Sequence, residues 1–176
     1  MNTSPVTASP SSVKSGLPPI LCEAPADAAA VEALVDRAFG PGRFAKTAER
    51  LREGRKPRPD LSFVCRAGGE MVGCVRQWDI RIGGRPAIFL GPIAVDPAWR
   101  SRGLGAALIR RAAAAAEAAG APAILLVGDA PYFSPLGFEI ARPGRFVMPG
   151  PVDPKRVMLR PFGPDAEALE GPVTPR

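Results

Sequence analysis

The sequence predicts an α/β protein of the α+β type: one mixed, mostly antiparallel sheet with a central parallel strand pair. Three observations lead there. Two glycine pairs, Gly68-Gly69 and Gly83-Gly84, separate three strand-like runs, Leu61 to Arg66, Met71 to Ile80 and Pro86 to Val95. Both residues of such a pair take positive φ without strain, so the runs form an antiparallel meander. The third run then passes through Arg100-Ser101-Arg102-Gly103-Leu104-Gly105 into a long alanine-rich stretch, Leu104 to Ala119. Beyond Gly120 comes Pro122 to Val127, apolar throughout and so suited to burial on both faces. A strand, helix, strand order of this kind makes the two strands parallel through a right-handed crossover. The parallel pair is therefore Pro86 to Val95 beside Pro122 to Val127.

Taken from the N-terminus, residues 1–17 are Ser, Thr and Pro with hardly a core-forming side chain, and a disordered tail is expected. Pro18 to Cys22 suits a first strand. Pro25 and Asp27 open a helix, Asp27 being a candidate cap, and Ala28 to Phe39 carries Val31, Leu34, Val35 and Ala38 at helical spacing until Gly40-Pro41-Gly42 stops it. A second, basic helix is expected from Phe44 to Arg52, before Gly54, Pro57 and Pro59 enforce a loop. In the alanine-rich helix Leu104, Leu108, Ile109, Ala112 and Ala116 form one inward stripe, with Gly120 as the residue after its end. Gly128-Asp129-Ala130-Pro131 places a proline at a first helical position with Asp129 nearby as a cap, and only a short helix fits before Leu136-Gly137-Phe138. Phe138 to Ile140 and Arg156 to Phe162 supply two more strands. The expected domain is 18–162, and 163–176 reads as an irregular tail.

Several function classes drop out on composition. The chain has 176 residues, a length for one domain, and no apolar run near the ~20 residues of a membrane helix. Its first residues lack the apolar stretch of a secretory signal, so a cytoplasmic protein is expected. There is no histidine, which removes Ser/His and Cys/His nucleophile pairs and histidine-rich zinc sites. No metal is expected, since Cys22, Cys65 and Cys74 have no ligand spacing. They read as small buried residues; a Cys65–Cys74 disulfide between neighbouring strands is conceivable, against the redox state of the cytosol. The net charge of +6 is concentrated in Arg43, Lys46, Arg50, Arg52, Arg55, Lys56 and Arg58, a run that reads as a solvated helix face and loop. Aromatic residues hardly interleave it, so no nucleic-acid partner is expected.

The stretch Phe89 to Leu108, FLGPIAVDPAWRSRGLGAAL, carries the chemistry. A strand ended by Asp96-Pro97 hands over to a helix through two close glycines. That leaves unpaired N–H groups aimed at one point with the positive helix end behind them, an anion site suited to phosphate. It is neither of two familiar phosphate loops: the chain has no Gly, four residues, then Gly-Lys, and the third glycine of a dinucleotide fingerprint is replaced by Leu108. The remaining pattern, Arg100-x-x-Gly103-x-Gly105 after Ile93-Ala94-Val95-Asp96-Pro97, closely resembles the acyl-CoA loop of the GNAT-type N-acyltransferase superfamily. Leu126 to Phe138, LVGDAPYFSPLGF, is a second point of resemblance, and together the two look most like the bacterial YhbS-like branch.

The resemblance covers roughly Ile20 to Phe162. It implies a GNAT fold: a twisted sheet with helices on both faces, in which the parallel pair splays apart and admits the pantetheine arm of acetyl-CoA. It further implies that Ile93, Ala94 and Val95 present backbone to that arm, and that Arg100, Ser101, Arg102, Gly103, Leu104, Gly105 and Ala106 form the pyrophosphate loop. The implied activity is acetyl transfer to a primary amine by direct attack. The alternative is a non-catalytic acyl-CoA-binding or regulatory domain, and in either case a monomer or homodimer. For the base, Asp79 and Asp129 are candidates beside a plain turn or cap role; a water relay or an already neutral amine needs neither. For the acid, many relatives place a tyrosine four residues before the Gly of Gly-Phe, where this chain has Phe133. Its only tyrosine is the neighbour, Tyr132. Residues adjacent on a helix point about 100° apart, but Pro135 disfavours helical geometry at Ser134, and a distorted segment could bring Tyr132 to the thiol. An aromatic packed beneath the fifth strand is the other reading of Tyr132.

Overall fold

The computed structural model describes residues 16–176, so the expected N-terminal tail lies almost wholly outside the described residues. The chain begins with β1 (Ile20–Cys22), a 3-10 turn at Pro25–Asp27 and helix α1 (Ala28–Phe39). A further 3-10 turn, Pro41–Ala45, leads to α2 (Thr47–Arg50), and then come β2 (Phe63–Ala67), β3 (Glu70–Ile82) and β4 (Arg85–Val95). After a 3-10 turn at Pro97–Trp99, α3 (Leu104–Ala118), β5 (Ala123–Val127) and α4 (Ala130–Phe133) follow. The remaining elements are β6 (Glu139–Ile140), β7 (Phe146–Val147), β8 (Val157–Pro161) and β9 (Gly171–Pro175).

The sheet runs β1-β2-β3-β4-β5-β8-β6, with β9 attached to the far end of β3 and β7 attached to β9. The meander is antiparallel, the β4–β5 pair parallel and the β5–β8 pair antiparallel. Helices cover both faces, as the apolar periodicities require. On one face Leu104, Leu108, Ile109, Ala112 and Ala116 of α3 pack on Phe63, Val75, Ile88, Leu90, Ile124 and Leu126. On the other, Val31, Leu34 and Val35 of α1 pack on Val64, Cys74 and Ala94. Each such side chain is worth about 1.5–3 kcal/mol when fully buried, so these two stripes fasten the helices flanking β4.

Four expectations are corrected. The basic helix does not run from Phe44 to Arg52. Lys46 is extended (φ −79°, ψ 143°) and only Thr47–Arg50 is α-helical, because the side chains are engaged elsewhere: Arg43 in ion pairs with Glu32 and Asp36, Thr47 and Arg50 on the carbonyls of Pro151 and Pro149. Within the basic run Lys46, Arg50, Arg55 and Lys56 are exposed as a solvated face requires, but Arg43 is buried. The tail after Gly163 is not irregular: Val173, Thr174 and Pro175 pair with Ile82, Arg81 and Ile80. β2 begins only at Phe63, opposite Val75, and leaves that part of β3 uncovered; the free edge takes a strand that prolines and glycine hide in the sequence. Finally, Cys22 is not buried but exposed, while Cys65 and Cys74 are buried as expected and form no disulfide. Val64, not Cys65, is opposite Cys74, and one residue of register reverses the face, so Cys65 belongs to the α3 core and Cys74 to the α1 core. Burial pushes their thiols up to about 11 and about 12.

Candidate active site

β4 and β5 pair only at Ile88 with Ile124 and Phe89 with Leu125. Past that point they part, and residues 90–95 keep β3 on one side with no strand on the other. A bulge marks the parting: Val75 faces Ile93 and Gln77 faces Leu90, so Gly91 and Pro92 together oppose Arg76. The Trp78 indole N–H donates to the Gly91 carbonyl at 2.6 Å, which ties the bulge to β3.

The parted strands open a cavity of about 720 Å³. One wall is the backbone of β4 from Phe89 to Val95, and the facing wall is Leu126, Val127, Gly128 and the α4 aromatics Tyr132 and Phe133. The end of α1 (Val35, Ala38, Phe39) closes one side together with Arg43, Lys46, Thr47 and Arg52, and the loop before β8 adds Pro151, Val152, Asp153 and Arg156. Ile93, Ala94 and Val95 are therefore brought to the cavity as expected.

The loop into α3 leaves the first amides of the helix open. Asp96 caps its first turn by accepting the Ala98 N–H at 3.0 Å. Ser101 takes φ 60° and Gly103 φ 81°, left-handed conformations that turn the chain into the helix. The first helical bond runs from the Ala107 N–H to the Gly103 carbonyl. The amides of Leu104, Gly105 and Ala106 thus have no intrahelical acceptor, and Gly103 has no side chain to cap them. Of the loop, Arg100 lines the cavity, its Nε donating to the Val95 carbonyl at 3.2 Å. Arg102 lies over the Trp99 ring at 5.0 Å. Both guanidiniums thus have partners within the loop itself.

Tyr132 meets this loop. A Cβ built on Gly105 would lie 2.5 Å from the Tyr132 hydroxyl oxygen, so the absence of a side chain at Gly105 lets the phenol reach the start of α3. The segment is not distorted as anticipated: Ser134 is helical (φ −60°, ψ −40°), with Pro135 accommodated inside a 3-10 turn. Tyr132 is half-exposed, and burial of its ring side raises its pKa from the usual phenol value, Arg110 opposing. Phe133 turns the other way, pressed onto Gly128 and edge-on to Phe138 at 5.8 Å between ring centroids. Both aromatics line the cavity, Tyr132 toward the start of α3 and Phe133 partly buried against the core.

The two carboxylate candidates separate. Asp129 lines the cavity, with its exposed carboxylate 3.1 Å from Arg156 Nε; it does not cap α4 through its side chain. Asp79 is not brought to the cavity. It lies on β3 opposite Ile88 and pairs with Arg58 at 3.0 Å. Sequence reading missed Arg43, Lys46, Thr47, Arg52, Pro151, Val152, Asp153 and Arg156 as lining residues; the basic run was visible, but the burial of Arg43 comes from its ion pairs to α1, and Thr47 is held by the distant Pro151 carbonyl. Among the described residues no group of three or more His, Cys, Asp or Glu side chains is placed to hold a metal.

A parted parallel pair ending at an open helix N-terminus defines a class of protein, the coenzyme A-dependent acyltransferases. The model of the Acetyltransferase (GNAT) family matches residues 28–138, and the chain belongs to that family. It is 31% identical to the uncharacterized N-acetyltransferase YjhQ of Escherichia coli over 117 residues, a match spanning 64% of this chain and 65%, just under two thirds, of YjhQ. It is 30% identical to the uncharacterized N-acetyltransferase YhbS of the same organism over 124 residues, 69% of this chain and 74% of that one. The crystal structure of E. coli YhbS in complex with CoA is similar across 94% of this chain and 93% of its own, with a TM-score of 0.78 and 25% identity. A GNAT family acetyltransferase from Brucella melitensis in complex with acetyl-CoA covers 89% of this chain and 94% of its own, with a TM-score of 0.64 and 28% identity. The fold is the GNAT fold.

Proposed function

We propose that the protein is an acetyl-CoA-dependent N-acetyltransferase that acetylates a primary amine of a small molecule or protein by direct attack. The observation that carries this reading is the meeting of Tyr132 with Gly105: a phenol that lines the cavity beside the free edge of β4 also reaches the start of α3. The residues fit the coenzyme: the uncapped amides of Leu104, Gly105 and Ala106 suit its pyrophosphate, and the gap beside residues 90–95 suits an extended arm that adds to β4 as a strand would. The structural likeness to YhbS, a protein solved with CoA, supports the same placement.

Acetyl-CoA bound there would supply the thioester whose carbonyl carbon the amine attacks. The chain's own part is then positional and electrostatic. Backbone N–H groups of β4 near Ile93 to Val95 orient the acyl oxygen and stabilise the negative charge it gathers. Tyr132 is protonated at neutral pH and gives its proton to the departing sulfur. Arg100 and Arg102 brace the loop from within, and Ser101 provides its left-handed turn. Asp129, at the rim, receives the amine's proton for release to solvent. Asp79 has no part in this scheme because its carboxylate is held by Arg58 away from the cavity. The reading includes a cytoplasmic location, which suits three free thiols, and a monomer or homodimer.

The test is a thiol-release screen of amines with acetyl-CoA, run beside a direct CoA-binding measurement. Binding with amine-dependent thiol release is the expected result. Binding with no release for any amine would leave the coenzyme-binding domain without chemistry, and no binding would overturn the proposal.

A further inference from the structure

Among the described residues, the cavity that receives the acceptor has carboxylates only where they are exposed to solvent. Its five cationic side chains are Arg43, Lys46, Arg52, Arg100 and Arg156, and its carboxylates are Asp129 and Asp153 alone. Both carboxylates are exposed at the rim, Asp129 against Arg156 at 3.1 Å and Asp153 accepting the Lys155 amide at 2.9 Å. The nearest others, Glu32, Asp36 and Glu49, are held by arginines: Glu32 and Asp36 at 2.8 and 3.0 Å from Arg43, Glu49 at 2.8 Å from Arg52. Lys46 has no carboxylate partner among the described residues and lies 5.9 Å from the Phe39 ring, over the apolar end of α1. Residues 1–15 could not supply a base either, for they contain no Asp, Glu or His. An alkylammonium entering this space meets apolar side chains and no carboxylate free of a cationic or backbone partner, which favours loss of its proton before it arrives.

Resting on the acetyltransferase reading, we propose that the acceptor is an amine of low basicity that enters as the free base, such as an α-amine, a hydrazine or an aromatic amine, and that lysine side chains are not its targets. The step balances without an internal base. The neutral nitrogen forms the N–C bond as C–S breaks, the surplus proton on nitrogen leaves to Asp129 or water at the rim, and the sulfur takes one proton from Tyr132, which regains it from solvent.

The experiment compares three probes with acetyl-CoA and the full chain between pH 7 and 9: a short lysine-free peptide with a free N-terminus, phenylhydrazine, and Nα-acetyl-lysine amide. At pH 7.5 the free-base fractions of an α-amine and a lysine differ roughly 200- to 300-fold. We expect transfer to the peptide or the hydrazine. For the lysine probe, kcat/KM should be small at pH 7 and climb about tenfold per pH unit with its free base, while the peptide profile levels off near pH 8. A flat lysine profile would reveal a base that recovers the proton inside the site and overturn the proposal. So would lysine transfer equal to that of the peptide at pH 7.5, or CoA binding with no transfer to either low-basicity probe. Failure of CoA binding itself would instead remove the acetyltransferase reading, and the proposal with it.

Discussion

Gly105 and Tyr132 form the residue pair on which the candidate site turns, and each yields a separable expectation. Gly105→Ala adds a good helix former, worth up to about 1 kcal/mol in a helix, but its methyl would occupy the place of the Tyr132 hydroxyl, 2.5 Å away. Stability should hold or rise while kcat/KM falls, a divergence of melting temperature and activity that a packing role for Gly105 would not produce. Tyr132→Phe removes only the hydroxyl. Acid catalysis contributes typically 10²- to 10⁴-fold, so kcat should drop at least roughly tenfold with CoA affinity nearly unchanged; an unaltered rate with a good acceptor would make Tyr132 structural. The tyrosine's candidacy was legible in the sequence because the chain has only one. Its position was not, because the side of α4 that faces the cavity is decided by where Phe133 packs.

At the level of elements, the charged ladder between β1, β3 and α1 and the C-terminal strand carry the expectations. Arg76 is buried on β3 beneath α1, donates to both carboxylate oxygens of Glu23 and pairs with Glu32. Removing it leaves the buried Glu23 carboxylate uncompensated, whereas Glu32 keeps Arg43, so Arg76→Ala should cost roughly 3–5 kcal/mol, measurable by urea unfolding. Pairing that change with Glu23→Gln should restore part of the loss, and additive losses would show that the ion pair is not the cause. β9 is tested through Leu169, which is 1% exposed just before it. Leu169→Ala should destabilise by about 2–5 kcal/mol while CoA affinity per folded molecule is unchanged, since this end of the sheet is remote from the cavity. Both features escape a sequence reading for one reason: an arginine in a strand and a Gly-Pro-Val-Thr-Pro segment each look like surface until a partner distant in sequence is supplied.

For the whole molecule, coenzyme binding should stabilise the native state by mass action. Acetyl-CoA at 100 times its dissociation constant adds about 2.7 kcal/mol, which for a chain of this size raises Tm by roughly 5–10 °C; no shift at millimolar acetyl-CoA or CoA would contradict the assignment. The elements whose signals are local were readable in advance. Glycine pairs set the meander, with positive φ at Gly68, Gly69, Gly83 and Gly84, the alanine-rich run made α3, and Gly103 marked the turn into it, because turn conformations and helix ends depend on residues close in sequence. Only the tertiary structure decided that Arg43 of the basic run is buried, that Asp79 belongs to Arg58 while Asp129 stands at the cavity, that Cys65 and Cys74 occupy opposite faces, and that β9 completes the edge of β3. Each of these depends on register and on ion pairs between residues far apart along the chain, and a side chain's local sequence carries no record of which distant partner will meet it.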